Sequence, residues 1–374
     1  MGSLRLVDVP GLYEKHEGEV YACAFTHDSA CVLSAGWDGF LRLWDAATGT
    51  TLASLHAGPK PLSACCPSPD GLQWLSGSME GIVSVWDGVS HQSLASIVAH
   101  TRPVSSLCFS PDGKLIASAS WDRQVMLRPA DQPREGRAIG SHHDIVSGCR
   151  FSPDGEFLLS WSHDGSVKLW DVAARREAAT FSGHSDRVNA LAVSPDGRLA
   201  LSGSRDCTLR LWDLQQRCEL ATVNVGTEIR ACLLLLDGES AAVADAAGRL
   251  FLMAVPTFEV LGQVQTPFRA LCGSLSPNGM SLALGSEDGV VHLVAVEGYE
   301  ETSLLVPARQ TAKQTAGLLG GLFGTTRTTH TFSMTCPACQ GMIEKPTLPA
   351  GPFACPRCHR RLRATNRTPA LQGV

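Results

Sequence analysis

The chain has 374 residues, 44% of them hydrophobic, and a formal net charge of −5, which suits one large folded unit with a small addition. Charge is uneven, because residues 331–374 carry six Lys/Arg and one acidic residue. The acidic remainder argues against nucleic acid as the main partner. No apolar stretch is long enough to span a bilayer, and the first residues lack the apolar core of a secretion signal. We therefore expect a cytoplasmic protein without membrane contact.

Five segments of the chain repeat at a constant step of 42 residues. Their anchors are His16, Gly58, His100, His142 and His184. Each anchor is followed at fixed offsets by a serine (Ser34, Ser76, Ser118, Ser160, Ser202), an acid (Asp38, Glu80, Asp122, Asp164, Asp206) and then Trp44, Trp86, Arg128, Trp170 or Trp212. Self-similarity at such a period indicates a repeat architecture.

Each repeat is predicted to contain four short strands separated by turns. In the fifth repeat the strands cover residues 188–193, 199–202, 208–212 and 219–223, and Ser-Pro-Asp-Gly at 194–197 has the residues of a tight turn. The same turn recurs at 68–71, 110–113 and 152–155, with Ser-Pro-Asn-Gly at 276–279. Degenerate repeats therefore continue beyond residue 226, and the total is seven. Four strands in about 40 residues form one blade of a β-propeller.

The Gly183-His184 pair, the Ser-Pro-Asp-Gly turns and the Trp-Asp pairs resemble the WD-repeat family, of bacterial type, over about residues 1–300. The resemblance implies an all-β fold in which residues 1–306 form a seven-bladed propeller. It also implies that the propeller is monomeric on its own. Closure of the ring needs one strand from a terminus. Residues 4–9 and 302–306 are both candidates, and we favour the N-terminal segment.

A quartet of His, Ser, Asp and Trp recurs at identical offsets in repeats one, four and five. Its members are His16, Ser34, Asp38 and Trp44; His142, Ser160, Asp164 and Trp170; and His184, Ser202, Asp206 and Trp212. His, Ser and Asp together could indicate a hydrolase triad, but a catalytic set occurs once per site. The family resemblance instead implies a buried hydrogen-bond chain, and we predict no enzymatic activity. Repeats two and three lack members of the quartet, so we expect them to rely more on apolar packing.

The resemblance also implies that partners bind one rim of the ring, beside the turn acids and the starts of the first strands. The rim residues would be Glu19, Tyr21, Trp37, Met79, Trp121, His163, Arg187, Asn189 and Arg205. Trp, Tyr and Arg are the residue types that dominate binding energy at interfaces. The alternative is that Trp37 and Trp121 lie flat on neighbouring blades.

Four of the 14 cysteines form two C-x-x-C pairs, Cys336 with Cys339 and Cys355 with Cys358. This spacing predicts one structural zinc ion held by four thiolates. The segment resembles small bacterial zinc ribbons more than rubredoxin, which prefers iron. We assign the ribbon to residues 332–366, a flexible Gly/Thr-rich linker to 307–331 and a tail to 367–374. The other ten cysteines are expected to act as small apolar residues in a reducing compartment.

Basic residues cluster in the ribbon at Arg357, Arg360, Arg361 and Arg363. Our first hypothesis is a scaffold whose propeller rim recruits a protein partner and whose ribbon adds a second contact, within a bacterial signalling, defence or regulatory complex. The alternative is a nucleic-acid-associated subunit whose basic ribbon contacts RNA or DNA, although no base-stacking aromatic side chain accompanies the arginines.

Overall fold

The computed structural model describes residues 3–7, 15–297, 304–315, 327–335, 342–345, 353–354 and 361–366. Every regular element in these ranges is a β-strand. The same ranges contain no helix that is long and apolar enough to cross a membrane.

Seven four-stranded antiparallel sheets form the blades. Blades one to three consist of β2–β5 (Val20–Phe25, Cys31–Gly36, Phe40–Asp45, Thr51–His56), β6–β9 (Leu62–Pro67, Gln73–Ser78, Ile82–Asp87, Ser93–Val98) and β10–β13 (Val104–Phe109, Leu115–Ser120, Gln124–Pro129, Arg137–Ser141). Blades four to six consist of β14–β17 (Val146–Phe151, Phe157–Ser162, Ser166–Asp171, Arg176–Ser182), β18–β21 (Val188–Val193, Leu199–Ser204, Thr208–Asp213, Cys218–Asn224) and β22–β25 (Ile229–Leu234, Ser240–Asp245, Arg249–Ala254, Val260–Gln265). Blade seven combines β26–β28 (Ala270–Leu275, Ser281–Ser286, Val291–Glu297) with β1 (Ser3–Val7).

The Ser-Pro-Asp-Gly turns between the first and second strands are held by their own side chains. In blade five, Ser194 Oγ donates to Asp196 at 2.6 Å and accepts the backbone N–H of Leu199 at 2.8 Å. Asp196 accepts the N–H of Arg198 at 3.0 Å, and Gly197 takes a φ of 69° that favours glycine. These local bonds explain why this tetrapeptide starts the second strand in repeat after repeat.

The ring closes between the two ends of the propeller, as the sequence predicts. The first strand of each blade contacts the first strand of the next, and β26 contacts β2. The N-terminal strand β1 pairs antiparallel with β28, from Ser3 opposite Glu297 to Val7 opposite Leu293. The competing segment, residues 302–306, does not close the ring, because Leu304–Val306 pairs with a strand of another sheet.

Apolar clusters lie between neighbouring blades rather than inside single sheets. Across the closure, Phe25 and Trp44 of blade one pack with Ala283 and Leu293 of blade seven. A further cluster joins blades six and seven through residues such as Leu252 and Leu282. Because each sheet buries both faces against its neighbours, closure of the ring and burial of the core are a single requirement.

An eighth sheet, of five strands, follows the propeller in the described part of the chain. It contains β29 (Leu304–Thr315), β30 (Arg327–Thr335), β31 (Met342–Lys345), β32 (Phe353–Ala354) and β33 (Arg361–Asn366), in the order β31-β30-β29-β33-β32. The segment predicted as a flexible linker, 307–331, thus contains most of β29 and the start of β30. The glycines at 317–324 directed that prediction, but Thr328, Thr329 and Thr331 after them are β-branched residues that favour a strand.

Candidate functional site

The predicted hydrogen-bond chain of His, Ser, Asp and Trp is present in blades one, four and five. In blade five, Trp212 Nε1 donates to Ser202 Oγ at 2.8 Å, Ser202 Oγ lies 2.8 Å from His184 Nε2, and His184 Nδ1 lies 2.9 Å from Asp206. The corresponding distances are 2.7, 2.8 and 2.8 Å in blade one and 2.8, 2.7 and 3.3 Å in blade four.

In blade five one protonation pattern satisfies every member of this chain. A neutral imidazole protonated at Nδ1 donates to the aspartate and accepts the serine proton at Nε2, while the serine oxygen accepts the indole N–H. Burial, opposed by Asp206, lowers the pKa of His184 below 6.5. Burial alone would raise the pKa of Asp206, but bonds from Thr208, the backbone N–H of Ser185 and His184 outweigh it and lower the pKa to about 2.

The second strand of each of the first five blades carries this buried serine. Ser34, Ser118, Ser160 and Ser202 are fully buried and Ser76 is 2% exposed. A hydroxyl so enclosed cannot meet a substrate, and the set recurs around the ring. The quartets are therefore structural, and each buried hydroxyl needs hydrogen-bond partners from its own blade.

Blades two and three satisfy the serine incompletely. In blade three His100 bonds Ser118 at 2.8 Å and Asp122 at 3.0 Å, but Arg128 replaces the tryptophan. Arg128 is 4% exposed, and its guanidinium donates to the Ala99 carbonyl at 2.8 Å. In blade three a buried arginine thus takes the tryptophan's place, and apolar clusters pack against both faces of blades two and three.

In blade two Trp86 Nε1 donates to Ser76 Oγ at 2.9 Å, whereas Gly58 stands where the other four blades have histidine. Blade two therefore retains the indole–hydroxyl half of the chain and lacks the imidazole.

Blades six and seven lack the hydrogen-bond chain of His, Ser, Asp and Trp. Val243 and Leu284 stand at the register of the buried serine. In blade six the buried carboxylate of Asp245 instead accepts from Arg249 Nε at 2.6 Å and Thr227 Oγ1 at 2.6 Å. In blade seven the ring of His292 stacks on Phe268 with centroids 3.5 Å apart. The 42-residue offset missed these groups, because neither arrangement keeps the quartet's residue types at the quartet's offsets.

The predicted rim positions are equivalent in the structure. In each blade the residue before the turn donates its backbone N–H to a carbonyl at the start of the first strand, as from Trp37 to Glu19 at 2.9 Å and from Arg205 to Arg187 at 3.0 Å. The seven donors are Trp37, Met79, Trp121, His163, Arg205, Ala246 and Glu287. The last two steps are 41 residues, so Ala246 and Glu287 escaped a search at constant offset.

A family comparison agrees with this geometry. The family described as WD domain, G-beta repeat matches residues 9–45, 49–87, 91–127, 136–171 and 175–213, together half of the chain. The chain belongs to the WD-repeat family. No curated protein matches the sequence significantly. The matched repeats end with blade five, so blades six and seven of this WD-repeat propeller are established by the structure.

The rim of the WD-repeat propeller is divided into two arcs of different chemistry. Blades one to three present Trp37, Met79 and Trp121, which we call the apolar arc. Trp37 is 50% and Trp121 41% exposed, and Tyr21 lies beside Trp37 with ring centroids 6.1 Å apart. About half of each tryptophan surface is therefore open to solvent, and the alternative that the two side chains lie flat on neighbouring blades stays a prediction.

The opposite side of the rim, which we call the charged arc, carries paired ions. Glu228 accepts from Asn189 Nδ2 at 2.9 Å and Arg187 Nη2 at 3.3 Å, and lies 3.5 Å from Arg230. Arg205 lies 3.9 Å from Asp186. Arg187 and Asn189 are thus held by Glu228, a residue that the sequence reasoning missed. Burial and the neighbouring Arg187 lower the pKa of His163.

The four predicted metal ligands, Cys336, Cys339, Cys355 and Cys358, and the basic residues Arg357 and Arg360 lie outside the described residues. Arg361 and Arg363 lie on β33. Within the described part of the chain no cluster of His, Cys, Asp and Glu is suited to a metal ion, and the ten cysteines of the propeller are free thiols.

We expect Ser202→Ala to lower the free energy of unfolding by roughly 1–3 kcal/mol, because it leaves the buried groups of His184 and Trp212 without a partner. Ser76→Ala is the matched control, since Ser76 has the indole of Trp86 but no imidazole, and its loss should be smaller. Denaturant unfolding measures both variants. Equal stability of Ser202→Ala and the unsubstituted chain would contradict the role of the chain.

Acid should destabilise the propeller in a defined range of pH. Burial, opposed by their aspartates, lowers the pKa values of His16, His100 and His184 from 6.5. As the pH falls below about 6.5 the unfolded chain therefore binds protons that the native state does not. Stability is full above that pH and decreases below it, by at most about 1.4 kcal/mol per pH unit for each imidazole.

Denaturant unfolding at pH 7.5, 6.0 and 5.0 measures this dependence. The variant His184→Gln should retain the direction of the change with a shallower slope, since one titrating imidazole is removed. Stability that stays constant, or increases, between pH 7.5 and pH 5.0 would contradict the assignment of neutral buried imidazoles.

Proposed function

We propose that this protein is a non-enzymatic scaffold whose propeller rim binds a protein partner through the apolar arc. WD-repeat propellers commonly bind other proteins, and the exposure of the tryptophans supports the same use here. The indoles of Trp44, Trp74, Trp86, Trp170 and Trp212 are at most 7% exposed, whereas those of Trp37 and Trp121 are 50% and 41% exposed on equivalent rim positions. Large half-exposed aromatic side chains in a fixed turn are typical anchors of binding energy.

The charged arc would set the orientation of the partner rather than its affinity. Arg205, Asp186, Arg269 and Glu287 form long, solvent-exposed ion pairs of 3.9 Å. Exposed pairs of this kind contribute little stability, so their rearrangement toward a partner costs little. A partner with an apolar segment next to charged groups of both signs would match the two arcs.

We further propose that the C-terminal segment binds one structural zinc ion through Cys336, Cys339, Cys355 and Cys358 and provides a second contact. The described strand ends support this. Thr335 pairs with Met342, and Ala354 pairs with Arg361. Each C-x-x-C sequence therefore lies between two paired antiparallel strand ends, and four thiolates would give a closed site without catalytic chemistry.

Two contacts on one chain raise the effective concentration of the second contact once the first has formed. The regular Ser-Pro-Asp-Gly turns resemble those of bacterial WD-repeat proteins, and on that resemblance we place the scaffold in a bacterial signalling, defence or regulatory complex, in the cytoplasm. The arginines near the second cysteine pair would meet an acidic surface of the assembly.

The rim is tested with a tagged full-length chain carrying Trp37→Ala and Trp121→Ala together. We expect recovery of the partner to decrease at least tenfold, since loss of two anchors costs more than about 1.4 kcal/mol, while the melting temperature stays unchanged. The control is Leu52→Ala with Leu220→Ala, two side chains of similar exposure (52% and 46%) on outer strands. Equal recovery of the same partners with both double variants would refute the rim as the binding surface.

Metal content tests the zinc proposal. Purified full-length protein should contain about one zinc per chain by elemental analysis, and Cys355→Ser should lose it because three thiolates leave the tetrahedral site open. Cys218→Ser, at an exposed free thiol of the propeller, should retain the metal. Iron in place of zinc would favour the rubredoxin alternative, and absence of any metal from the unsubstituted protein would overturn the site.

A further inference from the structure

A cavity of about 100 Å³ lies in blade two at the place of the missing imidazole. Its lining includes Gly58, Ser76, Glu80, Ile82, Ser84 and Ser96. Gly58, Ser76 and Glu80 occupy the quartet positions that His184, Ser202 and Asp206 occupy in blade five. The same chain therefore shows, in four other blades, what kind of group fits between the serine and the acid.

Two replacements beside the cavity enlarge this space. Gly58 has no side chain, and a carbon built on it would meet no atom within 4 Å. Ser84 stands where blades one, four and five carry Arg42, Lys168 and Arg210 across from the serine. Gly58 also has a φ of 149°, a backbone conformation that a histidine would adopt only with strain. The backbone of blade two at position 58 therefore suits glycine and disfavours histidine.

The polar groups of the cavity are incompletely used within the described part of the chain. Ser76 Oγ accepts the Trp86 indole proton, but no described group accepts the proton of Ser76 itself. In blades one, three, four and five the turn aspartate also accepts a backbone N–H, as from Ser185 to Asp206 at 3.0 Å. The equivalent residue in blade two is Pro59, which has no N–H, and no described residue donates to the Glu80 carboxylate.

The remaining blades do not leave such a site. His100 bonds the serine of blade three at 2.8 Å even though its tryptophan is replaced. In blades six and seven the serine itself is replaced by Val243 and Leu284, so neither side chain at this position has a hydroxyl that needs a hydrogen-bond partner. Within the described propeller, blade two alone combines the buried serine with the loss of its histidine.

We propose that the blade-two cavity binds an imidazole ring, either the side chain of a histidine on a partner protein or a small imidazole compound. The ring would accept the Ser76 proton at one nitrogen and donate from the other to Glu80, as His184 does between Ser202 and Asp206. In the occupied blades the imidazole centroid lies 6.1–6.3 Å from the tryptophan ring, so the indole of Trp86 would report binding.

The size of the cavity agrees with a five-membered ring. An apolar protein cavity on the order of 150 Å³ accommodates benzene, which is larger than imidazole. Ser76 is 2% exposed, while Glu80 lies at the solvent-exposed side, so one nitrogen would be buried and the other would remain near the surface. A ligand of five non-hydrogen atoms with two hydrogen bonds is expected to bind with a dissociation constant in the millimolar range.

The test uses the full-length chain with ¹⁵N-labelled tryptophan at pH 8, where imidazole is neutral. Trp86→Phe assigns the Trp86 indole signal. Imidazole should shift this signal saturably, and 1-methylimidazole, which has no N–H to donate to Glu80, should bind at least about tenfold more weakly. Glu80→Ala should weaken imidazole binding to a similar extent without loss of fold, since Glu80 is exposed.

His184→Gly provides a positive control, because it removes the ring from an intact quartet and imidazole should then shift the Trp212 signal. An unshifted Trp86 signal at 0.2 M imidazole (about 100 times the expected millimolar dissociation constant) in the folded unsubstituted chain would overturn the proposal, whatever the control shows. Equal binding of imidazole and 1-methylimidazole would also overturn it.

A second ligand distinguishes the two sources of the ring. N-acetylhistidine methylamide carries the flanking peptide groups that a histidine of a partner protein would bring. Binding comparable to imidazole supports a partner histidine as the natural occupant, and binding of free imidazole alone supports a small-molecule ligand. This test is independent of the rim test, because the Trp86 signal is measured without any partner. If the variant with Trp37→Ala and Trp121→Ala still bound its partner, the imidazole result would stand.

Discussion

A buried serine hydroxyl on the second strand is the constraint on which the first five blades depend. At 0–2% exposure the hydroxyl cannot be hydrated by bulk water, and an unsatisfied buried hydroxyl costs about 1–3 kcal/mol. In blades one, four and five the indole and the imidazole meet this need, and the carboxylate holds the imidazole. Each of these groups comes from a different strand or turn. The chain of bonds thus fixes the third strand and the turn before it relative to the second strand.

The same bonds also position the rim. The turn acid of each quartet directly follows the rim residue, as in Trp37-Asp38 and Trp121-Asp122. Asp38 accepts from His16 at 2.8 Å and from the N–H of Glu17 at 3.1 Å, so the backbone that displays Trp37 is held from inside the blade. An anchor whose backbone is already fixed loses less conformational entropy on binding. The structural role of the quartets and the proposed binding role of the rim are in this way two consequences of one turn.

The sequence predicts the features that recur in several blades and misses the interactions that occur in one blade only. The constant step located five blades, the quartets and the rim tryptophans, because the same residue types recur at the same offsets. It could not locate the Asp245–Arg249 pair or the His292–Phe268 stack, since each blade achieved burial with different chemistry after a one-residue shortening. The choice between residues 4–9 and 302–306 as the closing strand depends on strand pairing between residues far apart in sequence. Strands β29 and β30 form by pairing with each other, and the glycines between them led the sequence analysis to predict a flexible linker instead.

Blade two is where the coupling between quartet and rim is weakest. Its acid, Glu80, follows Met79, the central residue of the apolar arc, but lacks both the imidazole and the backbone N–H that hold the acid elsewhere. The Met79 turn therefore keeps only backbone bonds such as Met79 N–H to the Pro61 carbonyl at 3.0 Å and contacts to Ser78. A ring bound between Ser76 and Glu80 would restore the missing connection next to Met79, which lies between Trp37 and Trp121 in the apolar arc. Flexible methionine suits such a place, because its side chain adapts to different apolar surfaces.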